Sequence, residues 1–354
     1  AELESDPEAA NFAVGNPHEF AMPSYVATLR DYLEPRDKDW YAYKLSEPAA
    51  RAVVAESLSA LTGLDWDSAD VQMTNGGFAA IAHALRTLLE PGDETIFQCP
   101  PWFFYEQLIL AAGGVPVRTR LEPPAFDIPF AEIADAITPR TRLVMLNSPH
   151  NPTGSILTAD DIRRLAELAV EHDLVVLADE IYGRLQYAGE PLSIATLPGM
   201  AERTITLDGF SKTFAMTGWR LGYGIIPEWL LPHFSRLVIN SVSCTSAFAQ
   251  YGAIEALTGP QDAADAMRTE FIARRQLMVD GLNAIPGVTC VMPHGAFYTF
   301  PNISSFGRTS SEVADHLLYD AGVCGLSGTA FGKHGEGYLR FSYANSRENL
   351  TEAL

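Results

Sequence analysis

Lysine is scarce in this chain of 354 residues: Lys38, Lys44, Lys212 and Lys333 are all of it. Lys212 lies in the stretch Asp208-Gly209-Phe210-Ser211-Lys212-Thr213-Phe214-Ala215-Met216-Thr217-Gly218-Trp219-Arg220-Leu221-Gly222-Tyr223-Gly224. A short apolar run, Thr204 to Leu207, precedes the lysine and reads as a strand; a second, Tyr223 to Ile226, follows it. A lysine among glycines and small hydroxyl residues, in apolar surroundings, can lose its proton and attack a carbonyl, because desolvation disfavours the ammonium form. Arg220 follows eight residues later, a natural partner for a phosphate.

Elements must carry these groups to one place. Val71 to Thr74 alternates like a strand, runs into Asn75-Gly76-Gly77, and gives way to a helix from Phe78 to Leu89. Strand, glycine turn and helix together present free amides and a positive helix end to an anion. Glu94 to Gln98 reads as the next strand and ends in Cys99-Pro100-Pro101-Trp102, a rigid turn with a large aromatic. Arg142 to Asn147 and Leu174 to Ala178 read as buried strands; Asn151 and Asp179-Glu180-Ile181-Tyr182 come just after their ends. Between them Thr158 and Asp161 cap a helix. Strands alternating with helices imply a mainly parallel sheet with helices on both faces, and ligands bind beyond the carboxyl ends of such strands. Asn151, Asp179 and Lys212 are all delivered to that edge.

Other expected helices are Tyr25 to Leu33, Ala49 to Leu61, Glu228 to Ile239, Ala247 to Leu257 and about Asp262 to Ile285. A smaller α+β unit follows: strands at Val288 to Met292, Gly295 to Pro301 and Tyr338 to Tyr343, and a helix from Ser310 to Ala321.

The chain length suits two domains, or one large domain with a satellite. The net charge of -20 argues against nucleic acid as a partner. No apolar run approaches the ~20 residues of a membrane span, and the acidic start, Ala1-Glu2-Leu3-Glu4, does not read as a signal peptide. Cys99, Cys244, Cys290 and Cys324 lack paired spacing, so neither disulfides nor a zinc site is expected, and the expected location is cytoplasmic.

Taken together, the motifs resemble the class I/II aminotransferases of fold type I, pyridoxal-phosphate (PLP) enzymes, from Gly15 through Asn345. Ser211-Lys212-Thr213-Phe214-Ala215-Met216-Thr217-Gly218-Trp219-Arg220-Leu221-Gly222-Tyr223 resembles the family's cofactor-lysine segment. Asn75-Gly76-Gly77-Phe78 resembles its phosphate turn, and Pro100-Pro101-Trp102 the turn that lays an aromatic on the cofactor ring. Asn151-Pro152-Thr153-Gly154, Asp179-Glu180-Ile181-Tyr182 and Leu339-Arg340-Phe341-Ser342 resemble three further motifs, in the expected order.

The resemblance implies an α/β fold: a large domain, residues 41–262, with a mainly parallel seven-stranded sheet sandwiched by helices, and a smaller α+β domain from residues 1–40 and 263–354. It implies that Lys212 holds PLP as a Schiff base and moves the proton, and that Asp179 faces the pyridine nitrogen and keeps it protonated. Tyr182 and Asn151 would bond the ring hydroxyl and Trp102 stack on the ring. Arg220, with the amides of Gly77 and Phe78, would hold the phosphate. Arg340, helped by the Gly15 backbone, would take the substrate carboxylate. Tyr41 would reach the phosphate of the neighbouring subunit of a homodimer. The implied reaction passes an amino group from an amino acid to a 2-oxo acid in ping-pong fashion. The same fold also permits a β-eliminating lyase or an oxidase. A non-enzymatic PLP-binding regulator would need an attached DNA-binding domain, which the acidity opposes.

The sequence departs from the family pattern in places. Gly209 stands where the family often has serine, so one phosphate hydrogen bond is missing or comes from Ser211. Tyr41 is followed by Ala42-Tyr43-Lys44, where the family usually shows a proline and, slightly later, a glycine. A final helix is expected after Asn349, and both ends read as trimmed. No arginine is placed to read a second substrate carboxylate; Phe12, Phe20 and Tyr43 are candidates for an apolar pocket.

Overall fold

A seven-stranded sheet forms the centre of the computed structural model, which describes residues 10–354. In chain order its strands are β1 (Val71–Thr74), β2 (Glu94–Cys99), β3 (Val115–Arg120), β4 (Thr141–Asn147), β5 (Val175–Asp179), β6 (Thr204–Gly209) and β7 (Gly222–Ile225). Across the sheet they run β1-β7-β6-β5-β4-β2-β3. Only β7 is antiparallel to its neighbours; β6, β5, β4, β2 and β3 pair in parallel. The inner strands are buried along almost their whole length, as expected where helices cover both faces.

One face packs Ile81, Leu85 and Phe234 against Phe97, Leu143 and Leu207. The other packs Ile162, Leu165 and Ala169 against Val144, Leu146 and Val176. The helix Ala159–Glu171 supplies those three residues, and Thr158 caps it with both halves of a capping box. A third core joins Tyr25 of the helix Pro23–Tyr32 to Val54, Phe214, Tyr223 and Ala253.

The chain ends build a separate apolar core. Ala10–Asn11 pairs in parallel with Val323–Cys324. Leu326–Ser327, Leu339–Ser342 and Tyr298–Thr299 form a three-stranded antiparallel sheet. The helices Asp262–Ala284, Ser310–Ala321 and Arg347–Ala353 pack around it, with Phe12, Phe271, Phe297 and Phe341 inside.

Three expected elements differ. The strand expected over Gly295 to Pro301 is reduced to Tyr298–Thr299. Val288 to Met292 forms no strand; Thr289 makes one isolated bridge to Asn302, while Val288 and Cys290 face the core. The helix expected from Glu228 begins at Leu231, with Pro232 in its first turn, where its missing N–H costs nothing. Among the described residues no helix is long and apolar enough to cross a membrane.

Candidate active site

The register of the sheet sets the site. Asn147, the last residue of β4, pairs with Asp179, the last residue of β5, and Asp179 pairs with Leu207 of β6. Gly209, ending β6, pairs with Gly222 of β7. Three successive turns therefore leave the same edge, carrying Asn151, Tyr182 and Lys212. Asn147 staples the first turn to the second: its Oδ1 accepts from the Asn151 amide at 2.9 Å, and its Nδ2 donates to the Asp179 carbonyl at 3.0 Å.

Asp179 is buried beneath these turns. Desolvation raises the pKa of its carboxyl; the Tyr105 hydroxyl, donating to Oδ2 at 2.5 Å, and the Ile181 amide, donating to Oδ1 at 3.3 Å, pull it back. Among the described residues no cation bonds to it, although Lys212 is close enough to lower its pKa slightly. Lys212 is half-buried in the cavity wall, and its Nζ donates to the Gly15 carbonyl at 2.6 Å. Desolvation, then the Arg340 and Arg220 charges, push its pKa down to about 8. An amine in that state is partly neutral near physiological pH, which is what nucleophilic attack on a carbonyl requires.

The turn expected to take the phosphate is a glycine turn leading into a helix. Gly76 adopts φ +87°, and a Cβ there would lie 2.6 Å from Arg220 Nη2. The helix Gly77–Leu88 has no side-chain cap at its N-terminus, so its first amides are free. Arg220 itself has left-handed backbone, φ 53°, at the end of the 3-10 turn Thr217–Trp219. That conformation holds its guanidinium beside the turn, with Nη2 3.3 Å from the Asn75 carbonyl. The missing serine at 209 has a packing reason: a Cβ on Gly209 would sit 3.1 Å from the Gly222 Cα and 3.2 Å from the Leu221 carbonyl. Ser211 lines the cavity instead.

On the opposite wall Arg340 is 3 % exposed. Its Nη1 donates to Asn151 Oδ1 at 3.2 Å and its Nη2 to the Ala13 carbonyl, while Nε is buried without a partner. The guanidinium lies 4.4 Å from the Tyr298 ring centroid. The Tyr298 hydroxyl shares a 2.8 Å hydrogen bond with that of Tyr182.

These groups enclose a cavity of about 520 Å³, lined by Lys212, Asp179, Tyr182, Asn151, Arg220 and Arg340 together with Gly15, Gly77, Phe78, Trp102 and Ser211. A second cavity of the same volume, against Met278, Leu282 and Phe341, is mainly apolar, with the Arg308 and His316 side chains in its lining. The first cavity fits pyridoxal phosphate: free helix amides and an arginine for the phosphate, a buried carboxylate lacking a cation for the ring nitrogen, and a desolvated amine for the carbonyl.

Not every expected residue is brought in. Tyr41 is 60 % exposed, its hydroxyl bonds to the Leu33 carbonyl, and it lies outside the cavity lining of its own chain. The Phe12, Phe20 and Tyr43 pocket does not form: Phe12 is buried in the core of the chain ends, and the other two are 98 % and 85 % exposed. Conversely, Tyr105, Tyr298 and Asn147 were not among the expected site residues. Tyr105 follows Trp102 by three residues, and that spacing on a helical turn was the available signal. Tyr298 read only as part of a strand.

Residues 8–354 match the family model described as "Aminotransferase class I and II". The chain is 38 % identical to aromatic-amino-acid aminotransferase 2 of Thermococcus litoralis, covering 97 % of this chain and 89 % of that protein. It is 36 % identical to the aspartate aminotransferase of Pyrococcus abyssi, covering 98 % and 90 %. The crystal structure of the aromatic aminotransferase from Pyrococcus horikoshii superposes with a TM-score of 0.94 at 36 % identity, over 99 % of this chain and 95 % of that one.

Proposed function

The chain belongs to the class I and II aminotransferases, and from that premise we propose that Lys212, Asp179 and Tyr182 are the residues with which it works. It is a pyridoxal-phosphate enzyme that moves an amino group between an L-amino acid and a 2-oxo acid in two successive half-reactions. When bound, pyridoxal phosphate supplies the carbonyl that takes up the amino group and the ring that draws off electrons from the substrate Cα.

Lys212 is assigned to hold the cofactor and to carry the proton at the substrate Cα, since its amine is the group that can shed a proton near physiological pH. Asp179 is assigned to the ring nitrogen, because a buried carboxylate is stabilised by a cation. Tyr182 and Asn151 take the ring hydroxyl, and Trp102 covers the ring face. Arg220, Ser211 and the Gly77 and Phe78 amides take the phosphate. Arg340 takes the substrate carboxylate, supported by Asn151 and the Gly15 backbone, because a guanidinium fork matches a carboxylate. The observation that carries these assignments is that all of these groups line one cavity.

The same reading divides the chain into a large domain, 41–262, and a small one from 1–40 and 263–354, with the helix Pro23–Tyr32 fastening the first segment to the large domain through Tyr25. It makes the enzyme a cytoplasmic homodimer. Four unpaired cysteines and the exposed run Tyr41, Tyr43 and Leu45 support that picture.

Incubation with an amino acid and no acceptor is the test. One equivalent of 2-oxo acid per subunit is expected, with turnover resuming when a second 2-oxo acid is added. Continuous product without acceptor would instead mean elimination or oxidation.

A further inference from the structure

We propose that Tyr298 is a positioning residue for the reaction: its hydroxyl donates to the hydroxyl of Tyr182 and so strengthens the hydrogen bond that Tyr182 makes to the ring hydroxyl of the cofactor. The inference rests on the assignment of Tyr182 above and adds the residue behind it.

The two residues come from different parts of the fold. Tyr182 stands in the turn that follows β5, and Tyr298 begins the short strand Tyr298–Thr299 of the three-stranded sheet. Their hydroxyls meet at 2.8 Å. Both rings are buried within the one chain, 3 % and 1 % exposed, so the contact owes nothing to a neighbouring subunit.

The number of protons sets the direction of this bond. A phenolic hydroxyl has one proton to give and lone pairs with which to accept. Among the described residues each of these two hydroxyls has only the other as a hydrogen-bond partner. If Tyr182 gives its proton to the ring hydroxyl of the cofactor, its oxygen must accept, and Tyr298 is the donor that the structure places there. An oxygen that accepts a hydrogen bond is polarised into a better donor, so the two bonds strengthen each other. A phenylalanine at position 298 would leave the Tyr182 oxygen buried without that donor.

Two further contacts hold the Tyr298 hydroxyl at this point. The Arg340 guanidinium lies over the ring, 4.4 Å from its centroid. Gly15 faces the hydroxyl, and a Cβ there would lie 2.1 Å from its oxygen. Gly15 is not among the glycines with positive φ, so it is space, not backbone freedom, that this glycine provides.

The charged groups facing the pair are Arg340, Asp179 and Lys212. Burial raises the pKa of both phenols, that of Tyr182 well above its ordinary value, and Arg340 only partly opposes it. Both hydroxyls therefore keep their protons across the working pH range, and a titration of the bound cofactor reads the cofactor alone.

The test is the pH at which the absorbance of the PLP-loaded enzyme changes, as the link between Lys212 and the cofactor gives up its proton. A donor to the ring oxygen favours the form in which that oxygen bears its full charge, the deprotonated one, and holds the midpoint down. Loss of the donor raises it. Tyr182→Phe should raise the midpoint by about one to two units, the scale of a hydrogen bond to a charged group. Tyr298→Phe should raise it by about 0.3 to 1 unit, the scale of a neutral one. Because Tyr298 acts through Tyr182, Tyr298→Phe should add less than about 0.3 unit in the Tyr182→Phe background.

An unchanged midpoint in Tyr298→Phe, with Tyr182→Phe moving it, overturns the proposal and leaves the Tyr182 assignment standing; Tyr298 would then only pack. Equal shifts by Tyr298→Phe in the two backgrounds overturn it as well, since Tyr298 would act without Tyr182. If Tyr182→Phe moves nothing, the assignment of Tyr182 to the ring hydroxyl fails and the proposal falls with it. Should Tyr298→Phe not fold, 3-fluorotyrosine at position 298 keeps the shape and is a more acidic, stronger donor. The midpoint should then fall, and an unchanged or raised midpoint overturns the proposal.

Discussion

Burial raises the Asp179 pKa and favours the neutral form, which is of little use to a cationic ring. What opposes burial is the Tyr105 hydroxyl, 2.5 Å from Oδ2, more than the distant Lys212 charge. Tyr105 is therefore a positioning residue whose effect is read through pH. A hydrogen bond to a charged group is worth about 1.5–3 kcal/mol, which corresponds to roughly one to two pKa units. Removing it leaves less support for the charged form, so the Asp179 pKa rises. Tyr105→Phe should move the acidic limb of the kcat/KM profile to higher pH by up to about that amount. Activity at the alkaline end of the plateau should change much less. A uniform loss at all pH values would mean that Tyr105 only packs.

At the scale of elements, the proposed phosphate seat is a meeting of the Gly76 turn and the loop that ends in Arg220. Gly76→Ala places a side chain in extended positive-φ backbone, φ 87° and ψ 165°, that is essentially reserved for glycine, at a cost of about 1–3 kcal/mol, and pushes its Cβ against the Arg220 guanidinium. The guanidinium is the flexible end of its side chain, so it should move and the protein should still fold. The expected result is a small drop in apo-protein melting temperature and a much larger drop in PLP retention on gel filtration. Unchanged retention would move the phosphate elsewhere. The strand, glycine turn and helix were legible in the sequence; a glycine pair alone is equally a mere tight turn, and the phosphate role came from the family resemblance. The inner strands were legible too, since β4 and β5 are continuous apolar runs. The edge strand β3 was not seen: Pro116, Arg118 and Arg120 break its apolar pattern, and an edge position tolerates all three. Val288 to Met292 misled in the opposite direction, because its apolar residues serve core packing without ladder bonds. Tyr105 and Tyr298 stayed hidden because their roles depend on partners 74 and 116 residues away.

At the scale of the whole molecule, one chain brings most of the proposed cofactor groups to one cavity, and the proposed dimer would add Tyr41 from its neighbour. Tyr41→Phe removes one hydrogen bond to a phosphate and should weaken PLP retention by about ten- to a hundredfold. Mixing Lys212→Ala subunits with Tyr41→Phe subunits places both lesions in one site of a heterodimer and leaves the other intact. Activity should partly recover; no recovery after confirmed exchange would keep Tyr41 within its own subunit or outside the site. The chemistry as a whole depends on one residue among four lysines, Lys38, Lys44, Lys212 and Lys333. Borohydride reduction of the PLP-loaded enzyme, followed by peptide mass mapping, reads that directly. The cofactor mass is expected on the peptide containing Lys212, at one equivalent per subunit, and in no such yield on the other three. Stoichiometric label on any other lysine, with Lys212 unmodified, would contradict the assignment of Lys212 as the cofactor lysine.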